Sequence, residues 1–425
     1  MINYDYIVDR LNYIKFSSCR ELVHNPHSIL RCYISFLLST VKMIIKGKFK
    51  YGKLKKTLVL APTLNNHKTV STICDNLNAN DYMLVNDFSK IFPWAIVYIH
   101  SLLYIFHFHR YYLKKSKDDR RLVRYFFFDY FMAIGLYSTT IKLLKNNPNL
   151  KLIVFANDHI VYNRCLIELA PKYGIKTLYT QHASVTEKFP PLTFSYSFLD
   201  GMESFEKYQK IGNINGKIFL TGSPRFDNIE DVNIKTEKEF IGIALNDLDS
   251  KEMVYDLCQY ILQECNKQVV LRPHPALEKD DWSKFEKLKV IMSYPTQESS
   301  FQFISRLTLL IANESGIHLD AALMRTPSLL YNFSENEIMD WYSYIKKGLI
   351  KHCRTKQEIK LSLEENLIVD LIKIKYYVAS FSTPYEKRVG KLIASFIKSY
   401  FSNNQQLFID STFTKKEGYY IYKEL

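Results

Sequence analysis

Glycine and proline are scarce, thirteen of each in 425 residues. Long flexible linkers and Gly/Pro-rich disordered tracts are therefore not expected. Cysteine occurs seven times, an odd number, with no CxxC pair and no zinc-type spacing. That pattern argues for reduced, mostly buried thiols in a cytoplasmic protein rather than a disulfide framework. Internal repeats and low-complexity tracts are lacking, as is any DNA- or RNA-binding motif, so nucleic acid is not expected as a partner. The opening MINYDYIVDR has neither the basic start nor the apolar run of an export signal. Ile91–Phe108 approaches the length of a membrane span but holds Pro93, His100, Ser101 and His107. A buried or membrane-resting helix is expected there instead.

With 47% hydrophobic and 24% charged residues the chain reads as globular, and its length suits two domains with separate cores. Basic residues exceed acidic ones by 57 to 43, a formal charge of +14. An anionic partner fits that excess, either a nucleotide-activated substrate or a phospholipid surface. Ser28–Ile45 is an apolar helical run, followed by Lys46, Lys48, Lys50, Lys53, Lys55 and Lys56 with no acid among them. Arg110–Arg124 adds a second basic cluster. Two readings stay open for these segments: an interfacial anchor on anionic lipid, or a solvated basic face beside ordinary core helices.

Short β-rich apolar runs alternate with longer helical patterns, the signature of parallel sheets with crossover helices. Strands are expected at Thr57–Ala61, Lys151–Ala156, Lys176–Thr180 and Lys217–Thr221. A second series is expected at Phe240–Leu245, Gln268–Arg272, Lys289–Ser293, Thr308–Ala312 and Pro327–Asn332. Between the series lies the polar, acidic stretch Asp227–Glu239, a candidate linker. The expected fold class is α/β, two Rossmann-like domains facing across a cleft, with extra N-terminal helices. An acceptor domain is expected over 1–230, a nucleotide-donor domain over 238–383, and a C-terminal helix and tail over 384–425, with Pro384–Tyr400 amphipathic.

In open α/β sheets ligands bind beyond the carboxyl ends of strands, so the loops there carry the chemistry. After the strand KLIVFA comes Asn157-Asp158-His159, either an Asp–His pair that deprotonates an acceptor hydroxyl or the cap of the next helix. After KTLYT comes Gln181-His182-Ala183-Ser184, with Lys188 beyond; an imidazole of near-neutral pKa there can act as a base. Arg272-Pro273-His274-Pro275 follows QVVLR, either a rigid turn or a stiff loop whose Arg272 and His274 meet a diphosphate. Asn313-Glu314-Ser315-Gly316 ends TLLIA at a helix start, an anion site if not plain capping, with Glu314 able to accept from ribose hydroxyls.

The order QHAS, TGSPRFD (Thr221–Asp227), RPHP and NESGIHLDAA resembles the GT-B glycosyltransferase superfamily, over roughly 151–333. Within it the pattern is similar to bacterial capsule and teichoic-acid polymerases, including CDP-glycerol glycerophosphotransferases, and to sialyltransferases with a His-Pro motif. The resemblance makes His182 the acceptor-side base, with Asp158 and His159 beside it. It makes His274 the donor-phosphate histidine and Ser315 the hydroxyl at the phosphate-binding helix, and Arg272, Asn313, Glu314, Gly316, Ser223 and Arg225 complete the donor set. Ala183 departs from the family's Gly, and Ala312–Gly316 replaces a Thr-Asp-Tyr-Ser-Ser element, as in sugar-nucleotide 2-epimerases.

The resemblance thus implies a glycosyltransferase of bacterial surface polysaccharide (capsule, O-antigen). Inversion is expected because a positioned base is visible and a carboxylate nucleophile is not, and the basic, aromatic-rich helices suit a peripheral place on the inner face of the membrane. Such an enzyme would take a nucleotide sugar as donor, a glycan or lipid-linked acceptor, and neither cofactor nor metal. No DxD stands at a strand end; Asp247-Leu248-Asp249 lies in a loop where helix capping is expected. The alternatives are a CDP-polyol phosphotransferase of teichoic-acid type, a 2-epimerase, and an inactive membrane-associated scaffold.

Overall fold

The computed structural model describes residues 2–8, 27–186, 189–231, 238–365 and 367–423. Cys19, Lys188 and residues 232–237 of the candidate linker lie outside them. The chain forms two compact units: Met1–Asp200 with Ser204–Arg225 and Arg388–Leu425, and Gly201–Glu203 with Phe226–Lys387.

The strands in chain order are β1 Thr57–Leu60, β2 Tyr82–Val85, β3 Leu152–Phe155, β4 Lys176–Thr180, β5 Tyr196–Leu199 and β6 Lys217–Leu220 in the first unit. The second unit holds β7 Phe240–Ala244, β8 Val269–Arg272, β9 Ile291–Met292, β10 Leu307–Ala312, β11 Ser328–Leu330 and β12 Lys351–His352. The chain then returns to the first unit with β13 Phe413–Lys415 and β14 Tyr420–Tyr422.

The first sheet runs β13-β14-β6-β5-β4-β3-β1-β2, parallel except for the β13–β14 hairpin. β1 and β3 read TLVL and LIVF and are buried at every position, as strands covered on both faces must be. Their order reverses between β1 and β3, so this unit's ligand crevice is expected at the carboxyl ends of those two strands.

The second sheet runs β12-β11-β10-β7-β8-β9, all parallel, and reverses between β7 and β10. That is the dinucleotide-binding strand order. Period-2 alternation divides its core in two: Ile241, Ile243, Val269, Leu271, Leu309 and Ile311 pack on one face, and Ala244, Val270, Leu310 and Ala312 on the other.

Helices cover both sheets. In the first unit Trp94–Leu103 crosses Phe127–Lys145 so closely that a Cβ on Gly135 would meet the Val97 carbonyl oxygen at 2.0 Å. The stretch 91–108 is not one helix: it breaks at Tyr104 before Ile105–Leu113. Among the described residues no helix is long and apolar enough to cross a membrane. The amphipathic tail helix spans Val389–Phe401, packs on Leu64–Cys74 and so belongs to the first unit rather than trailing from the second. The described cysteines are free thiols, all buried but the half-exposed Cys265.

Candidate functional site

Asn157, Asp158 and His159 leave the carboxyl end of β3, beside the reversal. The Asn157 Oδ1 accepts the backbone N–H groups of His159 (3.0 Å) and Ile160 (3.2 Å), so Asn157 supplies the turn. Asp158 is thereby freed from capping and turned inward, 1% exposed, with no hydrogen bond to either carboxylate oxygen. The His159 imidazole stands beside it, its Nε2 3.3 Å from Oδ1 but without hydrogen-bond alignment. The ring of His159 stands edge-on to Phe189, centroids 4.5 Å apart, which limits its rotation. Asn163 Nδ2 donates to the Asn157 carbonyl at 2.8 Å and Asn66 Nδ2 to that of Ala156 at 3.3 Å, pinning the loop from two helices.

At the end of β4, Gln181 spans to β5: its Nε2 donates to the Ala183 carbonyl and to Ser204 Oγ, and its Oε1 accepts the Asp200 N–H. The His182 ring centroid lies 6.5 Å from that of His159. Burial, then the neighbouring His159 and Arg225, push the His182 pKa down to about 3. This departs from the near-neutral base that the sequence suggests, because the strand end encloses the ring beside a guanidinium. His182 is neutral at physiological pH, with its Nδ1 sealed from solvent and unpartnered. Ser223 Oγ donates to the Gln181 carbonyl at 2.9 Å, and Arg225 Nη2 stands 3.4 Å from Asp200 Oδ2. Ser223 and Arg225 are thus grouped with His182 in the first unit, not with the other residues assigned to the donor.

In the second unit Arg272 ends β8. Its Nη1 donates to Ser293 Oγ and its Nη2 to the Glu298 carbonyl, both at 3.0 Å, with the Phe303 ring 5.7 Å below. His274 Nδ1 accepts the Ala276 N–H at 3.2 Å. That bond places the ring proton on Nε2, leaving Nε2–H as a donor.

The loop after β10 is more committed to the scaffold than the sequence suggests. Asn313 Nδ2 donates to Asp249 Oδ1 (2.7 Å) and Asn332 Oδ1 (3.4 Å), while its own Oδ1 accepts the Glu314 N–H. Its backbone carbonyl accepts from Nε2 of the buried His318 at 3.1 Å, and with both Nδ2 protons taken only Oδ1 keeps a free acceptor site for a ligand. Glu314 accepts the backbone N–H groups of Met339 and Trp341. Burial raises its pKa and those N–H groups lower it. Its carboxylate organises the 339–341 segment where the sequence suggests ribose. Ser315 Oγ accepts the Ile317 N–H, and Gly316 opens the seven-residue helix Ile317–Leu323. Asp249 does not cap the helix Lys251–Glu264, a role filled by Ser250. Among the described residues no three His, Cys, Asp or Glu side chains converge to hold a metal ion.

Neither a protein-family model nor a curated protein matches the chain. Solved structures do. A UDP-N-acetylglucosamine 2-epimerase aligns with TM-score 0.52 at 13% identity, over 83% of this chain and 97% of its own. A putative UDP-N-acetylglucosamine 2-epimerase from Listeria monocytogenes gives TM-score 0.52, 13% identity, and 83% and 98% coverage. The chain has the GT-B fold. The wall teichoic acid polymerase TagF aligns more loosely, at TM-score 0.47 and 12% identity over 89% of this chain and 99% of that one.

On this GT-B frame each unit carries one group of polar side chains at the carboxyl ends of its strands: Asp158, His159, His182, Asp200 and Arg225 in the first, Asp249, Arg272, His274 and Asn313 in the second. Asp200 escapes the sequence reading because β5 does; the run YSFL has a serine inside it and is four residues long. The cue available was the Asp directly after it, at the same strand-end position as the other site residues.

Proposed function

We propose that the protein is an inverting glycosyltransferase that moves a sugar from a nucleotide-activated donor onto a glycan or lipid-linked acceptor of a bacterial surface polysaccharide. The observation that supports it most is the buried Asp158 carboxylate, without a hydrogen bond of its own, set against the His159 imidazole at the strand-order reversal. The acceptor hydroxyl oxygen attacks the anomeric carbon while its proton passes to His159. Asp158 stabilises the imidazolium that forms, a role that a buried, otherwise unbonded carboxylate suits. His182 stays neutral and offers the acceptor a hydrogen bond from the exposed side of its partly buried ring.

The bond from the anomeric carbon to the diphosphate oxygen breaks, and its electrons leave with the nucleotide. His274 Nε2–H and the charge of Arg272 meet that developing negative charge. Displacement in line, from the face opposite the leaving group, inverts the anomeric centre. Metal independence is proposed because Asp249, of the Asp247-Leu248-Asp249 triplet after β7, has both carboxylate oxygens engaged by Asn313 and the Asn246 N–H.

The test is a thermal-shift panel with CMP, CDP, UDP, GDP and dTDP, since a ligand of the folded state raises its melting temperature. One nucleotide should stabilise the protein, and His274→Ala should abolish that shift. CDP as the binder, with polyol phosphate transferred, would replace the sugar donor by a CDP-polyol. Formation of an epimeric UDP-sugar with no acceptor present would replace transfer by epimerisation. No shift with any nucleotide and no turnover would leave a scaffold without chemistry.

A further inference from the structure

The helix Ile29–Ile45 in the first unit has two apolar sides. Cys32, Phe36 and Thr40, four residues apart, are buried and face the protein, where Phe36 stacks on Tyr98 and meets Phe131 edge-on. Leu30, Ile34, Leu37, Leu38, Val41 and Ile45 recur at i, i+4, i+7, i+8, i+11 and i+15, the opposite arc of the helix. All are exposed, Leu30 to 67%, Leu38 to 66% and Ile45 to 79%. Single exposed aliphatic side chains are ordinary; an unbroken arc of them is not.

Charge indicates what covers this arc. No Asp or Glu occurs anywhere in 27–74, while Arg31, Lys42, Lys46, Lys48, Lys50 and Lys53 do. Lys42, Lys46 and Lys50 have no carboxylate partner among the described residues. A second copy of this chain would bring lysines against lysines and offer no acid from the same segment. The headgroups of an anionic bilayer supply the missing counter-charge, and the acyl boundary beneath them takes aliphatic side chains. At 17 residues the helix is about 25 Å long, short of the roughly 20 residues of a span, so it lies in the interface plane.

We infer that the Leu30–Ile45 arc is a docking surface for an anionic phospholipid bilayer, with the lysines after it resting on the headgroups. This inference is independent of the proposed chemistry. It is tested on the full chain by co-sedimentation with vesicles of phosphatidylcholine alone or mixed with phosphatidylglycerol.

The protein should bind the mixed vesicles at least about tenfold more tightly than the neutral ones, and added salt should weaken that binding. The triple variant Leu30→Ser/Leu38→Ser/Ile45→Ser changes only exposed side chains. It should keep its melting temperature and lose vesicle binding at least about tenfold. Lys46→Gln/Lys50→Gln should lower binding to the mixed vesicles and leave binding to the neutral ones unchanged. Equal binding to both vesicles overturns the inference, as does a triple variant that binds like the parent. A triple variant that turns a dimer into a monomer while vesicle binding persists also overturns it, and gives the arc to a second copy.

Discussion

Asp249 Oδ1 accepts a hydrogen bond from Asn313 Nδ2 at 2.7 Å, which ties the loop after β7 to the loop after β10 across the strand-order reversal of the second unit. Its other oxygen takes the Asn246 N–H at 2.8 Å. Burial raises the Asp249 pKa, opposed by these two bonds. Asp249→Ala would leave two donors unmet in a buried setting and should cost about 1–3 kcal/mol of stability. Asp249→Asn, which keeps one acceptor for Asn313, should lose less. Thermal melts of the two variants check the order; equal melting temperatures for Ala and parent would remove Asp249 from the scaffold.

The buried histidines make stability depend on pH. Against an ordinary value of 6.5, His182 is pushed down to about 3 and His318 to about 4. The unfolded chain takes up these protons first as pH falls, so it binds more of them than the folded chain between those values. The stabilisation is complete above pH 6.5 and drains away as pH falls through the folded-state values, by an amount on the order of a few kcal/mol. Melting temperature should therefore fall steeply below pH 6.5, and less steeply in His182→Gln. An unchanged slope in that variant would show that His182 titrates normally.

The proposed roles of His159 and His182 separate under mutation. His159→Ala removes the proton acceptor and should lower kcat by about 10²–10⁴-fold with the nucleotide thermal shift intact. Asp158→Asn keeps the shape and weakens support for the imidazolium, so a smaller loss of kcat is expected, with an altered pH–rate profile. His182→Gln retains a neutral hydrogen-bonding side chain and should act mainly on the acceptor KM. If His182→Gln abolished kcat and His159→Ala spared it, the base would be His182.

Local signals made the parallel strands legible. Runs such as LIVF and VVLR are apolar, short and bounded by polar loops, and they recur where β3 and β8 stand. What the sequence hid is set by distant partners. β14 pairs with β6, Ile421 opposite Leu220, about two hundred positions away, and nothing local in YIY distinguishes a sheet edge from a tail. The same holds for Glu314 and Asn313: their residue types fit ligand contact, while their actual partners, the Met339 and Trp341 amides and Asp249, arrive from separate loops. His182 shows a third limit, since the enclosure that lowers its pKa comes from tertiary packing and not from its neighbours in sequence.

Gly316 offers a sharp test of where the nucleotide lies. Its backbone is ordinary right-handed helical, φ −63°, and a Cβ built on it meets nothing within 4 Å. Neither conformation nor packing within the protein asks for glycine there, so its small size is free to serve close approach of a ligand at the end of β10. Gly316→Ser supplies a side chain that suits a helix cap and should leave the melting temperature of the free protein unchanged. The same variant should weaken the nucleotide-induced shift, and Gly316→Val should weaken it further, by at least about tenfold in Kd, the equivalent of about 1.4 kcal/mol. Val also costs up to about 1 kcal/mol as a cap, so affinity by calorimetry, rather than melting temperature, decides that variant. Unaltered affinity in both would move the nucleotide away from Gly316 and towards the His274 side of the strand ends.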